Sequence, residues 1–456
     1  MSSIKQYESE PTRVTELRGQ VEAKVDSLRD HLIEMNDWMY HNPEPGFLEF
    51  GASKMLAESL ESNGFVVEMG VPGLEEAWPE FDRLKYVGGL SPSYKGPPGL
   101  PTAFRAKYKA KSEKPVVAIV VEYDALRGDP PFHGCQHNMQ GPTGVGAAIA
   151  LAHTMEEQGI PGSVWVIGAP AEEVGPPSKA ALAKAGYLDG VDFVMRSHGI
   201  ESRNETVRYP GGFSERHIEQ LKYTFFGKSA HAQMPWNGVS ALDSVMLLLN
   251  AVEMLREHSE PQFRFHWVIS EGGVAPNIVP ERASCIVWVR HLIDETRVGS
   301  VSPRQAKKMI SKKVEQVDNA ARGAALATGT RVEIDHYGSY IPGIAVGTYN
   351  DLLYDYACMY GGINSKEASV PRHWEETGFM TVLVPGINVG FGIEGVTPQT
   401  GHSHESADLT VSKEGHDALV LMAKVMGAIG LRLAMDKSKR EQITEEHAMW
   451  VKRYNE

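Results

Sequence analysis

Apolar residues recur at Leu17, Val21, Val25, Leu28, Leu32 and Met35, the spacing of one helical face, and predict a helix from about Val14 to Tyr40. The pattern stops before Asn42-Pro-Glu-Pro-Gly46, where proline blocks continuation. A second helix is expected from Gly51 to Asn63, followed by a short strand from Gly64 to Glu68. The stretch from Gly70 to Pro101 is rich in Pro and Gly and has no period, so it reads as a long loop. Three short β-branched runs follow: Pro115 to Val121, Ser163 to Gly168 and Val191 to Met195. They show little alternation, as expected of strands buried on both faces. Helical patterns over Gly141 to Gln158 and Ser178 to Ala185 separate them. Strand, helix, strand, helix, strand predicts an α/β fold with a mainly parallel sheet wrapped in helices.

The character changes at Pro210-Gly211-Gly212. Beyond it the expected elements are a strand from His217 to Phe226 and a helix through Leu242, Val245, Leu249, Val252 and Leu255. A half-buried strand follows, marked by Phe263, Phe265, Trp267 and Ile269, and then a strand from Arg282 to Leu292. Ser302-Pro303 opens a long amphipathic helix, and Arg331 to Asp335 is a closing strand. The order β-α-β-β-α-β is that of a ferredoxin-like module. Residues 1–210 and 339–456 are therefore expected to form one domain, with 211–338 inserted as a second. The last element is a helix from about Ser412 to Met435.

At 456 residues the chain is too long for one ordinary core, which agrees with two domains. A net charge of −13 argues against non-specific nucleic-acid binding. The three cysteines are far apart and odd in number, so no disulfide framework is expected and a cytoplasmic setting fits. The polar, acidic N-terminus has no signal-peptide core, and no uninterrupted apolar run of bilayer length is expected, so no membrane partner is predicted.

Candidate chemistry gathers where buried parallel strands end, the usual ligand edge of such sheets. The first strand leads to Glu122, Asp124 and His133-Gly-Cys135-Gln136-His137-Asn138. The second leads to Pro170-Ala-Glu172-Glu173 and the third to Arg196-Ser-His198. A fourth cluster, Gly401-His402-Ser-His404-Glu405, precedes the last helix. Thiolate, imidazole and carboxylate together suit one divalent transition-metal ion or two. The thiolate leans to Zn²⁺ and the carboxylates suit Mn²⁺. Of two adjacent glutamates, one can ligate while the other manages the proton of an activated water.

Glu122-Tyr-Asp-Ala-Leu, Gly-Cys-x-His-Asn, Pro-Ala-Glu-Glu, Ser-His-Gly and Gly-Lys-Ser-Ala-His231-Ala together resemble the peptidase M-20 family, in its aminobenzoyl- and indoleacetyl-amino-acid hydrolase branch. The match in order and spacing runs from about His41 to the C-terminal helix. The resemblance implies a two-metal catalytic domain and an inserted lid that also dimerises. It implies Cys135, His137, Glu173, His198 and His402 as metal ligands, with His402 preferred to His404, and Glu172 as general base. It further implies that His231 stabilises an oxyanion in a partner subunit's site and that Asn277 binds substrate. Several positions depart from the family pattern: Gln136 replaces a glycine, Arg127 replaces a proline, and His373–Met380 replaces a polar loop. Gln136 and Arg372 are accordingly expected at the substrate, with Arg372 and Arg127 as candidate carboxylate clamps.

The expected activity is metal-dependent hydrolysis of a carbon–nitrogen bond in a small, carboxylated, aromatic substrate, by a homodimer or larger homo-oligomer. An amidohydrolase acting on N-acyl or aminobenzoyl amino acids comes first. A hydrolytic deaminase of an anthranilate-type aryl amine is the second reading, and a metal-free binding or scaffold homologue is the third.

Overall fold

The computed structural model describes residues 10–70, 100–174, 177–200, 207–214, 216–292, 301–361, 366–368, 378–393 and 401–456. The chain divides into two compact units, Met1–Gly212 with Gly343–Val451, and Phe213–Pro342 with Lys452–Glu456.

The first unit opens with α1 (Thr12–Ser27), α2 (Arg29–His41) and α3 (Phe50–Ser62). Its strands and helices then run β1 (Val66–Met69), β2 (Phe104–Ser112), β3 (Val116–Val121), α4 (His137–Glu157), β4 (Gly162–Gly168), α5 (Ser178–Lys184) and β5 (Phe193–Ile200). The second unit contains β6 (Arg216–Phe226), α6 (Ala241–Glu257), β7 (Phe263–Glu271), β8 (Arg282–Leu292), α7 (Pro303–Thr328) and β9 (Arg331–Tyr340). The first unit resumes with α8 (Gly347–Met359), β10 (Gly386–Gly392), α9 (His404–Leu409), α10 (Lys413–Met435) and α11 (Lys437–Tyr454).

The first unit's sheet has the order β1-β2-β4-β3-β5-β10. β4, β3, β5 and β10 pair in parallel, whereas β1 and β2 are antiparallel additions at one edge. Every residue of β3 and β4 is buried, the double coverage that the unbroken apolar runs require. Helix α4 lies close against this sheet because its glycines permit it. A Cβ on Gly144 would fall 2.3 Å from Val121 Cγ1. That approach fixes the N-terminus of α4, and with it His137, beside the end of β3.

The observed elements differ from the expected ones in three places. The helix expected from Val14 to Tyr40 is two helices, because Leu28 (φ −91°, ψ −6°) caps α1 and starts α2. Strand β2 has no counterpart among the expected elements: Arg105, Lys107 and Lys109 alternate with Phe104, Ala106 and Tyr108, which face the core. Helix α11 follows the helix expected to be last. Helix α10 is long and apolar enough to cross a membrane, but Lys424 and Arg432 interrupt it and 78% of its apolar window is buried within the fold. It is the central core helix of this unit. The loop expected over 70–101 lies almost wholly outside the described residues.

The second unit is a four-stranded antiparallel sheet in the order β9-β6-β8-β7 with α6 and α7 packed on it. Helix α7 starts with a full capping box between Ser302 and Gln305. In β7 the expected half-buried alternation stops early. Phe263 and Phe265 enter the core, but Trp267 and Ile269 are exposed on this edge strand.

Candidate metal centre

The donors come from four separated segments of the first unit. Past the carboxyl end of β3 the chain reaches Cys135, then Gln136 at the N-cap of α4, then His137. Past β4 it turns through Ala171 into Glu172 and Glu173, β5 carries His198, and His402 lies just before α9. Gln136 (φ 65°), Ala171 (φ 58°) and His402 (φ 58°) are all left-handed non-glycine residues. Such a backbone costs roughly 1–2 kcal/mol per residue. Its repeated occurrence at donors fits strain held for function.

Cys135 Sγ is the hub. It lies 3.2 Å from His402 Nε2 and 3.5 Å from His198 Nε2. Three groups have all their donor atoms within 4.8 Å of one another: Cys135, His137 and His198; Cys135, Glu173 and His402; and His137, Glu172 and Glu173. Cys135, His137 and Glu173 each belong to two of them. His404, the rival to His402, stacks on Phe132 with ring centroids 3.9 Å apart and joins none of these groups among the described residues.

Surrounding groups fix which nitrogen each imidazole presents. His137 Nδ1 lies 3.0 Å from Asp124 Oδ1 and His198 Nδ1 lies 2.8 Å from the Gly199 carbonyl. In the neutral rings, as a metal ligand requires, protons on Nδ1 leave both Nε2 lone pairs facing the donor cluster. Asp124 also accepts the Glu173 N–H through Oδ2 at 2.9 Å, so one carboxylate orients two candidate ligands. Below them Glu122 is fully buried between Lys179, 2.7 Å away, and Arg196, which hydrogen-bonds it. Arg196 also approaches Glu172 Oε1 at 3.9 Å.

The electrostatics are those of a crowded anionic pocket. Burial, and then Glu172, push Glu173 up to about 8. Burial and Glu122 also raise Glu172, and burial with the two glutamates raises the Cys135 thiol far above its usual value. Burial resists charge on His137, but the Asp124 hydrogen bond and the nearby carboxylates overcome it and raise His137 to about 10. Burial also opposes ionisation of Glu122, yet Arg196 and Lys179 outweigh it and hold that group low. His198 falls well below its usual value through burial and the adjacent Arg196.

These residues fit a divalent ion. Among the described residues, His137 Nε2 and Glu173 Oε1 are buried without a hydrogen bond, with only each other at 3.8 Å and Glu122 Oε2 at 3.5 Å from the imidazole as polar neighbours in ion-pair range, an arrangement that polar atoms in a protein interior rarely adopt without a ligand. The donor types are those that hold Zn²⁺ or Mn²⁺, and added positive charge would relieve the carboxylate crowding.

Other residues singled out in the sequence are placed as follows. His133 is buried, and burial together with His137 takes it down to about 3. Gln136 is buried too, and its amide donates to Ser406 Oγ at 3.0 Å. Arg372 lies outside the described residues, as does most of His373–Met380. In the second unit His231 is exposed, and its Nδ1 accepts the Gln233 N–H at 3.0 Å. The carbonyl of Asn277 accepts the Ala232 N–H at 3.0 Å, so His231 and Asn277 sit on paired backbone segments. Sequence reasoning missed Lys179, Glu49 and Ser406. Lysine in a helix and glutamate in Phe47-Leu-Glu-Phe50 carry no local sign of burial.

Residues 213–321 match the peptidase dimerisation domain of the M20 family. The chain is 30% identical over 368 residues to the Xaa-Arg dipeptidase of Mus musculus, covering 76% of this chain and 78% of that protein. It is 29% identical over 381 residues to one of the p-aminobenzoyl-glutamate hydrolase polypeptides of Escherichia coli K12, covering 78% and 68% respectively. Among solved structures, the aminobenzoyl-glutamate utilization protein from Klebsiella pneumoniae superposes with a TM-score of 0.64 at 18% identity, covering 90% of this chain and 98% of that one. The chain belongs to the M20 peptidase family and is a hydrolase of carbon–nitrogen bonds.

Proposed function

We propose that this protein is a metal-dependent amidohydrolase that cleaves the amide bond of a small N-acyl or aminobenzoyl amino acid. The observation that carries the reading is the convergence of Cys135, His198 and His402 around one sulfur, with Glu173 beside it. Similarity to a p-aminobenzoyl-glutamate hydrolase polypeptide and a dipeptidase supports an amide rather than an aryl amine as substrate.

Cys135, His137, Glu173, His198 and His402 would hold one or two divalent ions. A bound ion supplies Lewis acidity towards a carbonyl oxygen and lowers the pKa of water. Glu172, which shares a donor group with His137 and Glu173, accepts the proton of the attacking water and returns it to the leaving amine. Arg196 and Lys179 hold Glu122 in place behind it. In the second unit His231 keeps its proton on Nε2 when neutral, because Nδ1 accepts from Gln233. That N–H is the donor proposed for the oxyanion in a partner subunit's site, with Asn277 as a substrate contact. The protein is proposed to be a cytoplasmic homodimer or larger homo-oligomer.

The test combines metal analysis with Glu172→Gln. The protein supplied with Mn²⁺ or Zn²⁺ should bind metal and release glutamate from p-aminobenzoyl-glutamate, and Glu172→Gln should lose at least about a hundredfold in kcat. Absence of metal binding would sink the hydrolase mechanism. Release of ammonia from an anthranilate, with no amino-acid product from amides, would replace the amide reading with the aryl-amine one.

A further inference from the structure

Gln136 stands between two metal donors, where a substrate contact would be expected, but its surroundings assign it different work. It is only 4% exposed. Its Nε2 donates to Ser406 Oγ at 3.0 Å. Its Oε1 rests against Gly199 so closely that a Cβ there would fall 1.9 Å away. Gly199 follows His198, and Ser406 lies on α9, which follows His402. One side chain therefore touches two other donor-bearing segments while its own backbone carries Cys135 and His137.

Asn138, on the other side of His137, repeats the connection. Its Nδ2 donates to Thr410 Oγ1 at 2.8 Å and to Asn36 Oδ1 at 2.9 Å, and Asn36 Nδ2 donates to the Thr410 carbonyl at 3.1 Å. Ser406 and Thr410 are one helical turn apart, the spacing that puts both on one face. Two amides flanking one donor thus grip one face of the segment that carries another.

We propose that Gln136 is a positioning residue: a buried strut that holds the Cys135–His137, His198 and His402 segments in register for metal binding. The left-handed backbone at Gln136 would favour glycine, but glycine could reach neither Ser406 nor Gly199. The strut explains why a long amide occupies a position where its backbone is strained. It acts on ligand placement and takes no part in proton transfer or substrate contact. The inference rests on the metal reading above.

The test measures metal affinity by competition with a chromophoric chelator, for the parent, Gln136→Gly, Ser406→Ala and the double variant. Gln136→Gly keeps a residue that tolerates the left-handed backbone, so it removes the strut without new strain. Each single variant should weaken affinity about tenfold or more, the range seen when groups that orient ligands are lost. The double variant should be little weaker than the worse single one, because both remove the same contact. Unfolding midpoints of the metal-free proteins separate this from a merely structural role, which would lower them and leave affinity unchanged. Should Gln136→Gly fail to fold, Ser406→Ala carries the test alone. Parent-like affinity in the folded variants overturns the strut and leaves the proposed function standing. A parent that binds no metal overturns the proposed function itself.

Discussion

Glu49 Oε1 accepts the backbone N–H of Ala171 at 2.7 Å, reaching across 122 residues of sequence to the turn that presents Glu172 and Glu173. The same oxygen accepts the Phe47 N–H at 2.9 Å, and Thr102 Oγ1 donates to Oε2 at 3.0 Å. Phe47 and Ala171 are both left-handed, so one buried carboxylate stabilises two strained backbone positions. Burial, and then Asp124, push this carboxyl up to about 8 against the pull of those amides. Glu49→Ala would leave buried N–H groups without an acceptor, a loss of about 1–3 kcal/mol. Glu49→Gln keeps an oxygen towards the amides and should cost less. Urea denaturation ranks the variants, and equal midpoints for parent and Glu49→Ala would refute this account.

Asp124 orients His137 through one oxygen and Glu173 through the other. Asp124→Asn retains the volume but can accept through only one of them. Metal affinity should fall by about 10- to 100-fold, with secondary structure unchanged by circular dichroism. Chelator competition measures it, and a parent-like dissociation constant would show that the orientation is set elsewhere.

Most of the candidate donors were readable because they follow a pattern that sequence displays, an apolar strand and then a polar cluster at its carboxyl end, whereas His402 stands only before a helix. Their supports were not. Glu49, Ser406 and Lys179 act through contacts made only when segments over fifty residues apart meet, and nothing beside them in sequence marks the meeting. Gln136 shows the limit sharply. Its neighbours in sequence suggest a substrate role, whereas the 3.0 Å contact with Ser406 and the pressure on Gly199, on which the proposed strut rests, exist only in the fold. Strand β2 was illegible for another reason, since lysines and arginines along its open face obscure a buried partner face.

His402 and His404 are two residues apart, and sequence offers little to separate them. His402 Nε2 faces Cys135 Sγ, whereas the His404 ring lies on Phe132. His402→Ala should therefore abolish or severely weaken metal loading, while His404→Ala should bind a parent-like quantity. Metal content after gel filtration distinguishes them, and equal loss in both variants would count against the assignment.

In the second unit His336 Nε2 lies 3.1 Å from Asp318 Oδ2, and Asp318 also accepts the Tyr223 hydroxyl at 2.8 Å. The Asp318 hydrogen bond raises the His336 pKa, against a smaller opposing effect of burial. A raised folded-state pKa means the contribution is full below the unfolded value near 6.5 and is lost as pH climbs through the folded value. The imidazole is 45% exposed, so solvent screening keeps the effect small. In an NMR titration His336 should titrate above 6.5, and Asp318→Asn should return it towards that value. A His336 that titrates at or below 6.5 in the parent would contradict the pairing.

The edge strand β7 carries exposed Trp267, Val268 and Ile269, with Val268 54% exposed, and α6 adds exposed Met246, Leu247 and Met254. An unpaired strand edge with apolar side chains invites pairing with another chain. Both elements fall within the residues that match a peptidase dimerisation domain. A second copy laying its own β7 against this edge would satisfy the open backbone groups and cover the apolar side chains in one step. Val268→Asp places a charge where that contact must desolvate it, at a cost of several kcal/mol if the carboxylate stays ionised and unpaired. The parent should therefore run as a dimer in light scattering coupled to gel filtration, and Val268→Asp as a folded monomer. A variant that remains dimeric at low micromolar concentration would move the interface away from β7.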